Sequence, residues 1–321
     1  MFSSRASLVL LVFAIACKSG ENANTDTTAK TADSTAQAAA AAPAMFANAG
    51  ATDSMKTPES VRYDADLDAY FVSNINGNPS QKDGNGFIAK VEAGNTAAMT
   101  MFVQSGKNGA TLNAPKGMAI VGDTLWVADI DVMRAFNKKT GAVIANVDLR
   151  PLKVEFLNDV VAGPDGSIYV TDTGIHFDEK GAMTHPGHDQ IIKLTARRPS
   201  VAVKSDSALK GPNGIAWDAV NGRFVLGPFN DKAVSAWKDG DTTVTAIASG
   251  PGGYDGVEVL ADGRILVTSW SDSSVQVFSN GAFHKVIGNV EAPADIGVDT
   301  KRNVVALPRF NAGKVEYFTI K

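Results

Sequence analysis

The sequence predicts an all-β protein, a six-bladed β-propeller with four-stranded blades, on three observations. Residues 57–321 hold no long stretch of 3.6-residue apolar period; short Val, Ile, Leu and aromatic runs alternate instead with Gly, Asp, Asn and Pro, the pattern of strands and turns. One unit recurs six times, opening PESVRYD (from Pro58), PKGMAIV (Pro115), LNDVVAG (Leu157), PNGIAWD (Pro212), YDGVEVL (Tyr254) and PADIGVD (Pro293). The last unit has only three strands before Lys321, while a segment holding Met45 and Phe46 precedes the first unit.

Each opening is the first strand of a blade. A turn such as DADLD, GPDG, DAVNG or ADG leads to a second strand: AYFVSN (Ala69), TLWVAD (Thr124), SIYVTD (Ser167), RFVLGP (Arg223), RILVTS (Arg264) and NVVALP (Asn303). Third strands follow as FIAKV, VMRAF, QIIKL, AVSAW, VQVF and KVEYF. The second residue of each opening falls at 59, 116, 158, 213, 255 and 294, at intervals of 57, 42, 55, 42 and 39 residues. Their mean is near the length of a four-stranded propeller blade. A β-sandwich has no reason to repeat one turn chemistry six times, and no His or Trp-Asp signal recurs from unit to unit as in WD40 repeats. A ring closed by a three-stranded blade leaves an open edge unless a strand arrives from elsewhere; residues 44–51 (AMFANAGA) are the expected donor.

Ahead of the propeller, residues 1–17 read MFSSRASLVLLVFAIAC. Arg5 is a positive n-region, and Leu8 to Ala16 is too short to span a bilayer but fits a signal-peptide core. Ala14-Ile15-Ala16-Cys17 resembles a bacterial lipoprotein signal, which makes Cys17 the expected lipidation site. Residues 18–43 are an Ala/Thr/Ser-rich linker, without the apolar content to offset ordering entropy. The expectation is therefore an exported chain, 44–321 folded, held by a lipid anchor in the periplasm (with Lys18 pointing to the outer membrane) or at the cell surface, and monomeric. Of 321 residues, 30 are basic and 34 acidic, a net charge of −4, which argues against nucleic acid as a partner. One cysteine excludes a disulfide framework, a multi-cysteine metal site and a c-type haem.

First strands line the channel of a propeller, so their opening residues form a ring at one mouth: Glu59, Lys116, Asn158, Asn213, Asp255 and Ala294. Two carboxylates and two amides at one register suit a hard divalent cation, Ca²⁺ before Zn²⁺ or Mn²⁺ because the ring holds no Cys or His. Asn-Gly and Asp-Gly pairs also signal turns, but four oxygen donors at one point of the repeat exceed what turns require. Asp159 and Asp295 follow ring residues and are candidates for the substrate side. Loops between second and third strands return to the same mouth and add His176, Phe229, Trp270 and Arg309. The longest, from Thr171 to Asp189, is a candidate lid and carries His176, His185 and His188, read as a second metal site, as proton carriers or as solvated side chains.

PES at Glu59, LNDV at Asn158, GPNGIAWD at Asn213 and YDGVEV with ADG at Asp255 resemble the senescence marker protein/gluconolactonase/luciferin-regenerating-enzyme family across residues 57–321. The resemblance implies a six-bladed propeller with a divalent cation, usually Ca²⁺, held by Glu59, Asn158, Asn213 and Asp255. It implies lactone hydrolysis, with Asp255 as general base and Asn158 also catalytic. Two departures stand out. Glu155-Phe156-Leu157 replaces the region where sugar lactonases carry an Arg before the Asn-Asp pair, which favours a less polar ligand. Lys116 puts a cation in the ring, to pair Glu59 or Asp255 or to bind a substrate carboxylate. Two functions follow: a lactonase- or arylesterase-like hydrolase of a small molecule, or a tethered binding module with a structural metal.

Overall fold

The computed structural model describes residues 46–321. The chain divides into Met1–Ala42 and Pro43–Lys321; the signal segment, Cys17 and the linker lie outside the described residues. Among the described residues the second unit holds six four-stranded antiparallel sheets and one two-stranded sheet. Blade 1 runs through Pro58–Asp64, Ala69–Asn74, Phe87–Glu92 and Thr100–Gln104. Blades 2 to 5 repeat that order from Pro115, Leu157, Pro212 and Tyr254. In blade 6 the inner strand Gly297–Asp299 is followed by Val304–Arg309 and Lys314–Ile320, and the fourth strand is Phe46–Thr52. It pairs antiparallel with Lys314–Ile320, Phe46 facing Ile320 and Thr52 facing Val315. The N-terminal strand therefore closes the ring, ending one residue later than the sequence suggested. Among the described residues no helix is long and apolar enough to cross a membrane.

Among the described residues six apolar clusters fill the spaces between blades, and a small seventh of Ile75, Ala114 and Ile130 lies at the channel mouth. Tyr169, Ile191, Ile215, Phe224 and Trp237 fill the space between blades 3 and 4, and Phe46, Leu266, Val277, Val305 and Phe318 that between 5 and 6. Each sheet is thus covered on both faces. This is why the second strands read as near-continuous apolar runs and not as strict alternation: all six residues of Ala69–Asn74 are buried.

Two local devices shape the channel. The first is a β-bulge at the opening of each inner strand in blades 1 to 5, between Pro58 and Val61, Pro115 and Met118, Leu157 and Val160, Pro212 and Gly214, and Tyr254 and Val257. A bulge puts an extra residue on one strand and re-aims its side chain. The freed N–H groups are satisfied in three blades by a hydroxyl of the second strand: Ser60 N donates to Ser73 Oγ, Asp159 N to Thr171 Oγ1 and Gly256 N to Thr268 Oγ1. The second device is glycine after the ring residue. A Cβ on Gly214 would stand 2.4 Å from Asp255 O, and one on Gly256 2.5 Å from Ile296 N. Neither glycine sits in a turn; both lie in strands and allow neighbouring inner strands to touch.

Candidate metal centre and ligand pocket

The bulges turn five ring residues into one cavity of about 200 Å³ at the channel mouth, lined by Glu59, Lys116, Asn158, Asn213 and Asp255. All five are buried. Glu59 Oε2, Asn213 Oδ1 and Asp255 Oδ1 have no hydrogen-bond partner. Buried oxygens without donors are costly and rare, and three on one small cavity are the signature of a cation site. Two further atoms of the ring are tied down. Trp270 Nε1 donates to Asp255 Oδ2 at 2.8 Å. Asn158 Nδ2 donates to Thr173 Oγ1 at 3.0 Å, and that hydroxyl donates to Pro212 O at 2.8 Å. Anchoring one end of the Asp255 and Asn158 side chains fixes where the other end points, as outer partners do for metal ligands.

Electrostatics agree. Burial, and then the charges of Asp255 and Asp295, push the Glu59 carboxyl well above its usual range, with Lys116 opposing. Burial and Asp295 push Asp255 up to about 8, against its bond from Trp270. Without a cation, burial and mutual repulsion draw both carboxyls toward their protonated forms. The oxygen-only donor set fits a hard divalent cation, with Glu59, Asn158, Asn213 and Asp255 as the residues that would hold it.

Above the ring the walls are apolar. Ile75, Pro79, Phe156, Ile175, Phe177, Met183, Phe229, Trp270 and Phe310 complete the cavity with Thr173. Phe229, Trp270 and Phe310 form a chain of edge-on rings, with centroids 5.9 Å and 5.6 Å apart. The roof comes from the long loop of blade 3, which folds into a hairpin, His176–Phe177 against Met183–Thr184. Its Phe177 N donates to Ser80 Oγ, and Asn78 Nδ2 donates to Asp178 O at 2.7 Å, so the hairpin is latched to the mouth loop of blade 1.

Phe229 and Trp270 line the cavity as expected from their loops, but four other candidates do not. Asp159 and Asp295 lie deeper in the channel, away from the substrate side, where both grip Arg62 Nη2, at 2.9 and 2.8 Å. Arg62 also donates to Met118 O, Val61 O and Ile296 O, and Asp295 Oδ2 accepts from Ser60 Oγ at 2.6 Å. His176 is exposed on the outer face of the hairpin, because strand alternation sends its neighbours Ile175 and Phe177 inward. Arg309 is held by Glu316 and the carbonyl of Glu291; its neighbour Phe310 faces the cavity. Nor do the loop histidines meet at the mouth. His185 pairs Asp189 at 2.9 Å, His188 contacts Asp206 at 3.3 Å, and Asp189 N donates to Asp206 Oδ1. His185, Asp189 and Asp206 bring potential ligand atoms within 4.8 Å of one another, but these bonds brace the foot of the hairpin against the loop around Ser205. Mouth residues Asp129 and Asp172 are also structural: each accepts from backbone N–H groups of the segment leading into an inner strand, Ala114 and Phe156 among them. Sequence reasoning missed Arg62, whose only signal is its place on an inner strand, and most of the apolar roof.

Fold and site together define a six-bladed propeller with a polar, cation-compatible channel mouth under an apolar roof. The chain belongs to the family described as SMP-30/Gluconolactonase/LRE-like region, whose model matches residues 58–298. No curated protein matches the chain. A structure provisionally assigned as a gluconolactonase is similar at 15% identity and a TM-score of 0.63, covering 87% of this chain and 92% of that one. A luciferin-regenerating enzyme is similar at 12% identity and a TM-score of 0.62, over 83% and 92%. A nidogen/laminin complex contains a chain similar at 15% identity and a TM-score of 0.55, over 72% and 80%. At these identities the likeness is one of fold.

Proposed function

We propose that the protein is a metal-dependent hydrolase of the lactonase or arylesterase kind, acting on a small ester or lactone with an apolar body. The observation that carries this reading is the set of three unpartnered buried oxygens on a cavity walled by aromatic rings. Membership of a family that includes gluconolactonases supports it. When bound, a divalent cation, Ca²⁺ for preference, would supply Lewis-acid polarisation of the ester carbonyl and stabilise charge developing on its oxygen. The chain does the rest. Glu59, Asn158, Asn213 and Asp255 would hold the ion, and Thr173 and Trp270 keep Asn158 and Asp255 in position. Asp255, with one oxygen fixed by Trp270, would take the proton of the attacking water and return it to the departing alcohol oxygen as the acyl C–O bond breaks. The hairpin and the Phe229–Trp270–Phe310 rings seat the apolar body and keep bulk water from the reacting carbonyl. Phe156, where sugar-binding relatives carry polar groups nearby, makes a polyhydroxylated ligand a poor fit.

The test is hydrolysis of a panel of aryl esters and alkyl- and aryl-substituted lactones with and without added Ca²⁺, Mn²⁺ or Zn²⁺, comparing wild type with Asp255→Asn. Metal-dependent turnover that falls at least a hundred-fold in the variant is expected. A melting temperature that responds to metal, with no turnover on any member of the panel, would instead assign a tethered binding module with a structural ion. Export and anchoring belong to the same proposal: lipid labelling that disappears in Cys17→Ser is the expected result.

A further inference from the structure

One buried charge at the mouth is used neither to hold the ion nor to move the proton. Lys116 occupies the ring position of blade 2 and lines the cavity beside Glu59, Asn158, Asn213 and Asp255. Its Nζ donates one hydrogen bond, to Ala114 O at 3.2 Å, and stands 4.0 Å above the Phe156 ring. A buried ammonium is stable when its donors are matched, yet a carbonyl and a ring face leave N–H groups for a ligand to take. The neighbouring carboxylates do not take these donors: Asp159 and Asp295 are joined to Arg62 by short ion pairs, and Asp129 and Asp172 are bonded by Arg134, by Gln190 and by backbone N–H groups, so the Lys116 charge keeps free donors toward the cavity. Around that charge stand Phe156, Phe229, Trp270, Phe310, Phe177 and Ile175, which suit an aryl or alkyl body of about one ring. A polyhydroxylated ligand would leave the rings facing hydroxyls, and a neutral ester or lactone gives the ammonium an anionic partner only once it is hydrolysed to the acid.

We propose, resting on the reading of the pocket as a metal-dependent ester site, that Lys116 anchors the acidic oxygen of its ligand. The cavity thereby selects small monoanions with an apolar body, the arylalkanoate class. Such an acid is also what hydrolysis of a matching ester or lactone releases, so Lys116 holds the product's carboxylate and sets the substrate's acyl half as the one that sits at the ring. Phe156 stacks beneath the ammonium and keeps it pointed inward.

Calorimetric titration of the calcium-loaded protein with 3-phenylpropanoate, 3-phenylpropanol and acetate tests this without reference to turnover. The acid should bind at least ten-fold more tightly than the alcohol, which lacks the charge, and than acetate, which lacks the body. Lys116→Met and Lys116→Gln should each cost the acid ten-fold or more in affinity while leaving the alcohol unchanged. Equal affinity for acid and alcohol in the wild type overturns the proposal, as does absence of binding by all three or an undiminished affinity of the acid in folded variants. The head-group comparison in the wild type stands even where a variant does not fold. Failure of the hydrolase reading would show separately, as absence of turnover alongside intact binding of the acid.

Discussion

Removing divalent metal should destabilise the protein in a pH-dependent way whose direction the buried carboxyls fix. Asp255 ionises near its ordinary value of 3.8 in the unfolded chain but only at about 8 in the metal-free fold, and Glu59 is raised as well. A carboxyl raised on folding contributes stability that is fully present below its unfolded value and is lost as pH climbs toward its folded value. For Asp255 alone the rise of about four units, at about 1.4 kcal/mol each, sets a ceiling of about 6 kcal/mol. Calcium should cancel the loss, because the ion holds both carboxylates charged. At a hundred times its dissociation constant it stabilises by about 2.7 kcal/mol, or roughly 5–10 °C for a domain of this size. Thermal melts between pH 5 and pH 8.5, with chelator and with calcium, should therefore diverge as pH rises. The chelated protein should lose melting temperature steadily across the range while the loaded one stays nearly level. Identical melts with and without calcium at pH 8, or a larger calcium effect at pH 5, would refute the cation site.

Trp270→Phe removes the indole N–H from Asp255 Oδ2 and should weaken calcium binding about ten- to hundred-fold, read by titration calorimetry, with the fold intact by circular dichroism. Gly256→Ala drives a Cβ to 2.5 Å from Ile296 N and should cost about 1–3 kcal/mol or more in urea unfolding; a neutral result would mean that the inner strands can part freely. Arg62→Met strands Asp159 and Asp295 without their shared cation, a loss of about 3–5 kcal/mol at neutral pH that should shrink as acid protonates the pair.

The ring was legible because it repeats. Glu59, Lys116, Asn158, Asn213 and Asp255 share one position of a unit seen six times, and a position shared by register is a position shared in space. What surrounds the ring repeats in neither length nor type, so direction had to be inferred from loop membership, and there one residue decides everything. His176 lies between Ile175 and Phe177 and faces the other way; Arg309 and Phe310 divide in the same manner. Asp159 and Asp295, each next to a ring position, look down the channel for the same alternation. Arg62 was invisible for a different reason. Its carboxylate partners are separated from it by about a hundred residues on one side and more than two hundred on the other, and no local pattern marks such a pairing. The hairpin could be anticipated from loop length, but not that it presents Phe177 and Met183 to the pocket and leaves the histidines outside.

The pairing of Phe46–Thr52 with Lys314–Ile320 also dictates an order of events during synthesis. The first strand of the folded unit to leave the ribosome has no partner until the last one has been made. Its edge must wait through the translation of the five blades between them. Blades 1 to 5 each pair within one stretch of chain and can form as they emerge, whereas ring closure is a contact of the longest sequence separation and comes last. A chain stopped before Lys314 would hold five complete sheets and an open ring. The two ends of the folded unit finish side by side, so a circular permutant that joins them and opens a surface turn between two other blades would let every blade be made from contiguous chain, and should fold faster than the natural order allows.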